Sequence, residues 1–162
     1  MMNWTKLYDM QHELDRFIER ENNIENQEVT DKKILALLVE AGELANETRC
    51  FKFWSKKGPS ERSAILEEYV DGIHFLLSIG LDLELRYTEQ AEVHSGSDLS
   101  DLFLDFYHSV TQFRSYQSQF NYDGMWDRYL KIGTVLGFSV DDVMSAYTDK
   151  NEINIKRQQD GY

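Results

Sequence analysis

Two pairs of carboxylates stand out by their spacing: Glu40 with Glu43 in ILALLVEAGELANE, and Glu68 with Asp71 in ILEEYVDGIHF. An i,i+3 pair shares one helix face, with its side chains as neighbours. If the two segments are helices packed antiparallel, both pairs converge on one point. Four ionised carboxylates cannot crowd together unless cations lie between them. The chemistry on offer is a hard-metal site built of oxygen ligands, and magnesium is the ion that suits it.

The periodicity of the flanking residues bears on this. At about 100° per residue, Glu40, Glu43 and Glu47 occupy one narrow sector, and Ile34, Leu35, Leu37, Leu38, Val39, Ala41, Leu44 and Ala45 fill nearly all the rest. In the second segment Asp71, His74 and Glu67 share a polar sector, whereas Glu68 falls between Phe75 and Ile79 in the apolar arc. One pair alone is most simply the wet side of an amphipathic helix. Both apolar arcs are too wide for surface helices, however, and a glutamate in an apolar flank is costly unless something neutralises it. Together the two pairs favour the metal site.

Elements must position these acids, and apolar spacing predicts helices throughout. Leu7, Met10, Leu14, Phe17 and Ile18 outline a first helix over about Trp4 to Glu21, with Gln11 and Asp15 beside the stripe. A polar loop, Asn22 to Glu28, leads to Thr30 or Asp31 as caps for the first acidic helix, which ends near Thr48–Phe51. The connector FKFWSKKGPSERS contains Gly58-Pro59, which ends any helix, and Ser60 or Ser63 to restart one. Its Lys52, Lys56 and Lys57 either balance charge between two acidic helices or form a lid with Trp54. The second acidic helix is expected from Ala64 to about Tyr87, followed by a polar link over Thr88 to Gly96.

Leu99, Leu102, Phe103, Phe106, Val110, Phe113 and Phe120 then predict one long helix starting at the caps Ser97 and Asp98. Its aromatic richness fits core, with part of it available as a subunit interface. A shorter helix over Asp123 to Leu136 closes at Gly137 as its C-cap, and Ser139 with Asp142 resembles a capping box opening the last one. On that last helix Lys150, Asn154 and Arg157 lie on one face at i, i+4 and i+7. Spacing alone makes them an ordinary cationic C-terminus that complements the macrodipole. The expected architecture is all-α, a bundle of five to six helices forming a single domain over 1–162.

Composition bounds the function. A chain of 162 residues supports one domain with a real core. A net charge of −12 argues against a nucleic-acid or anionic-membrane partner. It also means that metal ions and a few local cations must reverse the field wherever phosphate binds. The single cysteine, Cys50, excludes an internal disulfide and is expected to be a buried small hydrophobe. No run approaches the ~18 apolar residues of a membrane span, and MMNWTKLYDMQHELD lacks the order of a signal peptide. The expected location is the cytoplasm.

The spacing Glu40-x-x-Glu43, twenty-four residues, Glu68-x-x-Asp71 resembles the signature of the all-α NTP pyrophosphatases, the superfamily of MazG-like enzymes and dimeric dUTPases. FKFW at Phe51–Trp54, the His74-Phe75 pair and the C-terminal KNEINIKRQQDGY are similar to the dimeric dUTPase branch. The resemblance covers most of Leu7 to Tyr162 and is weakest between Leu85 and Gly137. It implies a homodimer that hydrolyses dUTP to dUMP and pyrophosphate, with dUDP a further substrate, using two or more Mg²⁺ per site. It implies Glu40, Glu43, Glu68 and Asp71 as metal ligands, with Glu40 as general base for water attacking the β-phosphorus. Gln11, Asp15, Trp54, His74 and Phe75 are implied at the nucleoside, with Phe75 stacked on deoxyribose where a 2′-hydroxyl would clash. Asp15 stands where the family pattern has Asn. His74 either orients a polar neighbour or is a core histidine. Lys52, Lys56, Lys150, Asn154 and Arg157 are implied at the phosphates.

Three competitors remain. Another nucleotide such as dCTP would use the same chemistry. A carboxylate-bridged di-iron protein would explain Asp71-x-x-His74, yet it wants a Glu-x-x-His from each of two helices, and Glu40-x-x-Glu43 has no histidine. A non-catalytic helical interaction module would leave all the acids facing solvent.

Overall fold

The computed structural model describes residues 1–89 and 98–162, and within them the chain forms six helices and no strand. They are α1 (Trp4–Glu21), α2 (Thr30–Thr48), α3 (Arg62–Asp82), α4 (Leu99–Ser115), α5 (Gln119–Val135) and α6 (Val140–Gln159). The expected all-α bundle is the observed one. None of these helices is long and apolar enough to cross a membrane.

The wide apolar arc of α3 follows from its place. It packs against α1, α2, α5 and α6 together, so its buried residues, from Ile65 through Tyr69, Ile73 and Leu76 to Ile79, run around the helix. Lys33 near the start of α2 pairs with Asp82 at the end of α3 at 2.7 Å, and Ser60 just before α3 donates its N–H to Glu47 O at 3.0 Å. The two acidic helices are therefore antiparallel. The arc of α2 is less completely covered, since Leu35 and Val39 are exposed. Cys50 is only half-buried, packed against the core rather than inside it.

Several boundaries differ from those expected. Helix α3 stops at Asp82, not Tyr87, because Glu84 takes a left-handed φ of 57°, and Leu85 N–H then bonds back to Gly80 O at 2.8 Å. That is a Schellman closure without its usual glycine. The long helix expected through Phe120 is two: Tyr116 turns extended, Ser118 caps Asn121 N–H at 3.1 Å, and α5 begins at Gln119 rather than Asp123. Phe120 consequently lies exposed on α5, while Phe106, Val110 and Phe113 are core. Val29 rather than Thr30 or Asp31 is the cap position of α2, and the Glu28 carboxylate accepts the Thr30 N–H at 2.7 Å. Glu61 precedes α3, leaving Ser60 to bond Glu47.

At the end of α5 the cap is Leu136, and Gly137 follows it in the left-handed region. The Ser139–Asp142 capping box is present, with both reciprocal bonds formed. Of the expected link over 88–96, residues 90–96 lie outside the described residues, as does the cap expected at Ser97.

Candidate functional site

Antiparallel packing of α2 on α3 brings the acids together. One carboxylate oxygen each from Glu40, Glu68 and Asp71 lies within 4.8 Å of the others. Glu43, one turn along α2, is exposed and stands outside this triad, but its charge still acts on Glu40 and Glu68. Burial, then the neighbouring Asp71 and Glu43 carboxylates, raises the Glu40 pKa to about 8. Burial and the same neighbours raise Glu68 to about 7. Glu40 Oε2 and Glu68 Oε2 are both buried without a hydrogen-bond partner. An all-oxygen donor set with two unpartnered oxygens fits a hard cation such as magnesium. No histidine belongs to the cluster, which disfavours the di-iron alternative.

Helix α6 supplies the cation already at hand. Lys150 Nζ lies 2.8 Å from Glu67 Oε1 and 3.0 Å from Asp71 Oδ2, with its side chain almost fully covered. The lysine lowers the Glu67 pKa by its hydrogen bond. At Asp71 burial wins, and the carboxyl is raised despite Lys150. Glu67 was expected only as a wheel neighbour of Asp71; its ion pair with Lys150 has no sequence signal, because the two lie on distant helices.

Beside the acids opens a cleft of about 360 Å³ between α1, α3 and α6, within the usual range for small-ligand sites. Glu40 and Asp71 line it together with Gln11, Asp15, His74, Phe75, Lys150, Asn154 and Arg157. The cation–amide–cation face of α6 thus meets the same space as the acids. Arg157 sits 5.3 Å over the ring of Tyr162, which also lines the cleft.

Deeper in, Gln11 and His74 are buried, and His74 combines the two roles left open for it, a core histidine bonded to a polar neighbour. Gln11 bonds Asp15 at 2.8 Å, His74 Nδ1 at 2.7 Å and the Tyr147 hydroxyl at 2.8 Å. Ser78 donates to Asp15 at 2.8 Å. Ser78 and Tyr147 escape sequence reasoning, since each reads as ordinary helix interior.

Trp54, Lys52 and Lys56 stand apart from the cleft lining. Trp54 is exposed, its ring edge-on to Phe51 and Phe53, and Lys52 lies 5.8 Å from the Phe51 ring. The connector that carries them is shaped by Arg49, which adopts a left-handed φ of 59° and donates to Lys57 O and Ser55 Oγ.

No curated protein is significantly similar to the chain. The family model for dUTPase, by contrast, matches residues 3–162, nearly the whole sequence. That match spans both acidic helices, the cleft and the cationic face of α6. The chain belongs to the all-α dUTPase family and is a dUTP diphosphatase.

Proposed function

We propose that the cleft holds a deoxyuridine nucleotide with its phosphates between the acid cluster and α6, and that hydrolysis there requires magnesium. The observation that carries this is the paired orphaning of Glu40 Oε2 and Glu68 Oε2 beside Asp71. Buried polar atoms without partners are expensive, and a cation removes that cost for both at once. Glu40, Glu68 and Asp71 would hold it, with Glu43 reaching in from the exposed side. When bound, magnesium supplies the positive charge that screens the phosphate chain and favours attack by water.

The chain's own residues do the rest. Glu40 is the general base: its carboxylate lines the cleft, and a cation bound by the cluster would favour its ionised form, able to take a proton from water near neutral pH. Water attacks the β-phosphorus of dUTP, releasing dUMP and pyrophosphate; dUDP would yield dUMP and phosphate by the same attack. Lys150 exchanges its carboxylate partners for phosphate oxygens, and Arg157 and Asn154 bind the remainder, the guanidinium through its fork. Gln11 and Asp15 act on the base through His74, and Phe75 packs on deoxyribose. Trp54, Lys52 and Lys56, outside the cleft of the single chain, would close over bound nucleotide as a lid. Two copies pair through the apolar residues that α2 and α4 leave exposed, Leu35, Val39 and Leu104; a chain that sediments as a monomer would contradict the pairing.

The test is pyrophosphate release from dUTP, dCTP, dTTP and UTP, each with and without Mg²⁺. Magnesium-dependent release from dUTP in preference to the other three is expected. Release that needs no divalent cation would overturn the metal assignment. Equal turnover of UTP would remove the sugar-packing role of Phe75, and preference for dCTP would correct the base.

A further inference from the structure

Behind the cleft, a chain of hydrogen bonds runs in one direction, and an acid sets that direction. Asp15 Oδ1 lies 2.8 Å from Gln11 Nε2, and Asp15 Oδ2 accepts from Ser78 Oγ at 2.8 Å. Burial raises the Asp15 pKa, while Lys33, Gln11 and Ser78 all act to keep it ionised. A carboxylate only accepts, so the Gln11 atom facing it is the amide nitrogen and the carbonyl Oε1 faces the other way. There Oε1 meets the Tyr147 hydroxyl at 2.8 Å and His74 Nδ1 at 2.7 Å. A carbonyl oxygen also only accepts, so both neighbours must donate.

His74 therefore carries a proton on Nδ1. Burial lowers its pKa to about 3, which leaves no second proton for Nε2 near neutrality. The ring is further fixed by stacking on Tyr147, centroids 4.2 Å apart. Nε2 is buried and has no hydrogen-bond partner, although His74 lines the cleft.

We propose that Asp15, acting through Gln11, locks His74 in its Nδ1–H tautomer so that Nε2 accepts a hydrogen bond from an N–H of the bound base. This rests on the cleft being the nucleotide site. In a deoxyuridine nucleotide N1 carries the sugar, so N3–H is the one ring donor and becomes the partner of His74 Nε2. Asp15 is a positioning residue. An asparagine at 15 either donates or accepts, so Gln11 could turn over and His74 could take its proton on Nε2. The ring would then present a donor to N3–H, and the two would repel.

The tautomer is read from the ¹⁵N resonances of the histidine rings in the full chain, with His74 assigned by its disappearance in His74→Asn. A pyrrole-like Nδ1 and a pyridine-like Nε2 are expected in the free protein. Adding non-hydrolysable α,β-imido-dUTP with Mg²⁺ should shift Nε2 towards the hydrogen-bonded range. Asp15→Asn should show mixed tautomers, and KM for dUTP should rise by about tenfold with kcat little changed, whereas Tyr147→Phe, which leaves Asp15 in place, should keep the wild-type tautomer. An Nε2–H tautomer in the free wild-type chain overturns the proposal whether or not dUTP is hydrolysed. So does an Nε2 signal unmoved by nucleotide in a chain that does hydrolyse it. Failure of the nucleotide reading itself appears elsewhere, as absence of pyrophosphate release.

Discussion

Glu40→Gln is expected to lower turnover of dUTP by about a thousandfold while raising the melting temperature of the metal-free chain by about 2–4 °C. The two effects share one cause. Glu40 sits half-buried against Glu68, Asp71 and Glu43, and burial with those neighbours raises its carboxyl to about 8. A carboxyl raised on folding contributes stability in full only below its unfolded value, and that stability is lost as pH rises through the folded value. The metal-free wild-type chain should therefore melt progressively lower between about pH 5 and pH 9, and the glutamine variant should flatten that decline. A neutral amide keeps the shape but forfeits both a charged ligand and the proton acceptor. Thermal melts across pH, beside steady-state kinetics with Mg²⁺, check both halves. Unchanged turnover together with unchanged stability would leave Glu40 an ordinary surface acid.

Gly72→Ala should be the most damaging small substitution near the site, with a melting temperature about 10 °C lower. A Cβ at Gly72 would lie 2.0 Å from the Tyr129 hydroxyl and 2.5 Å from its Cζ. Tyr129 is fully buried, donates to Tyr69 O at 2.8 Å, and stacks on the Tyr69 ring with centroids 4.9 Å apart and planes 2° from parallel. It cannot yield without breaking that bond and displacing that stack. Overpacking of this kind costs about 1–3 kcal/mol or more, and losing a buried hydrogen bond about 1–3 kcal/mol. The better helix propensity of alanine returns only about 1 kcal/mol. Because Asp71 adjoins Gly72, the shift should also weaken magnesium binding. Gly58→Ala, where nothing lies within 4 Å, is the control expected to melt like wild type. A Gly72→Ala chain melting within about 2 °C of wild type would mean α5 does not hold α3 as described.

What the sequence made legible, it did through periodicity and local chemistry. The bounds of α1 and the Ser139–Asp142 capping box are set by apolar spacing and a capping motif, both local. The acids of α2 and α3 were visible because an i,i+3 pair declares its shared face, and Glu68 because it interrupts an apolar arc. Helix ends were less legible where the breaking residue is not glycine or proline. Glu84 adopts the left-handed conformation and Tyr116 turns extended, and neither residue type advertises a stop. Within the site, partners far apart in sequence stayed hidden. Nothing local ties Gln11 to His74 and Tyr147, or Lys150 to Glu67. His74 was drawn on a polar sector because a helical wheel sees one helix, whereas α1 and α6 close over that side of α3.

The account stands on carboxylates of two helices meeting around a divalent cation, and calorimetric titration of the metal-stripped chain with Mg²⁺ tests this most directly. Run near neutral pH in two buffers of different ionisation enthalpy, it reads binding and proton release together. With Glu40 raised to about 8 and Glu68 to about 7, these acids are partly protonated there. Magnesium should bind with release of protons into the buffer, less at pH 9 than at pH 7, and Glu40→Gln should weaken binding and remove most of the release. A chain that takes up no magnesium, or binds it with no proton release at either pH, would contradict the site.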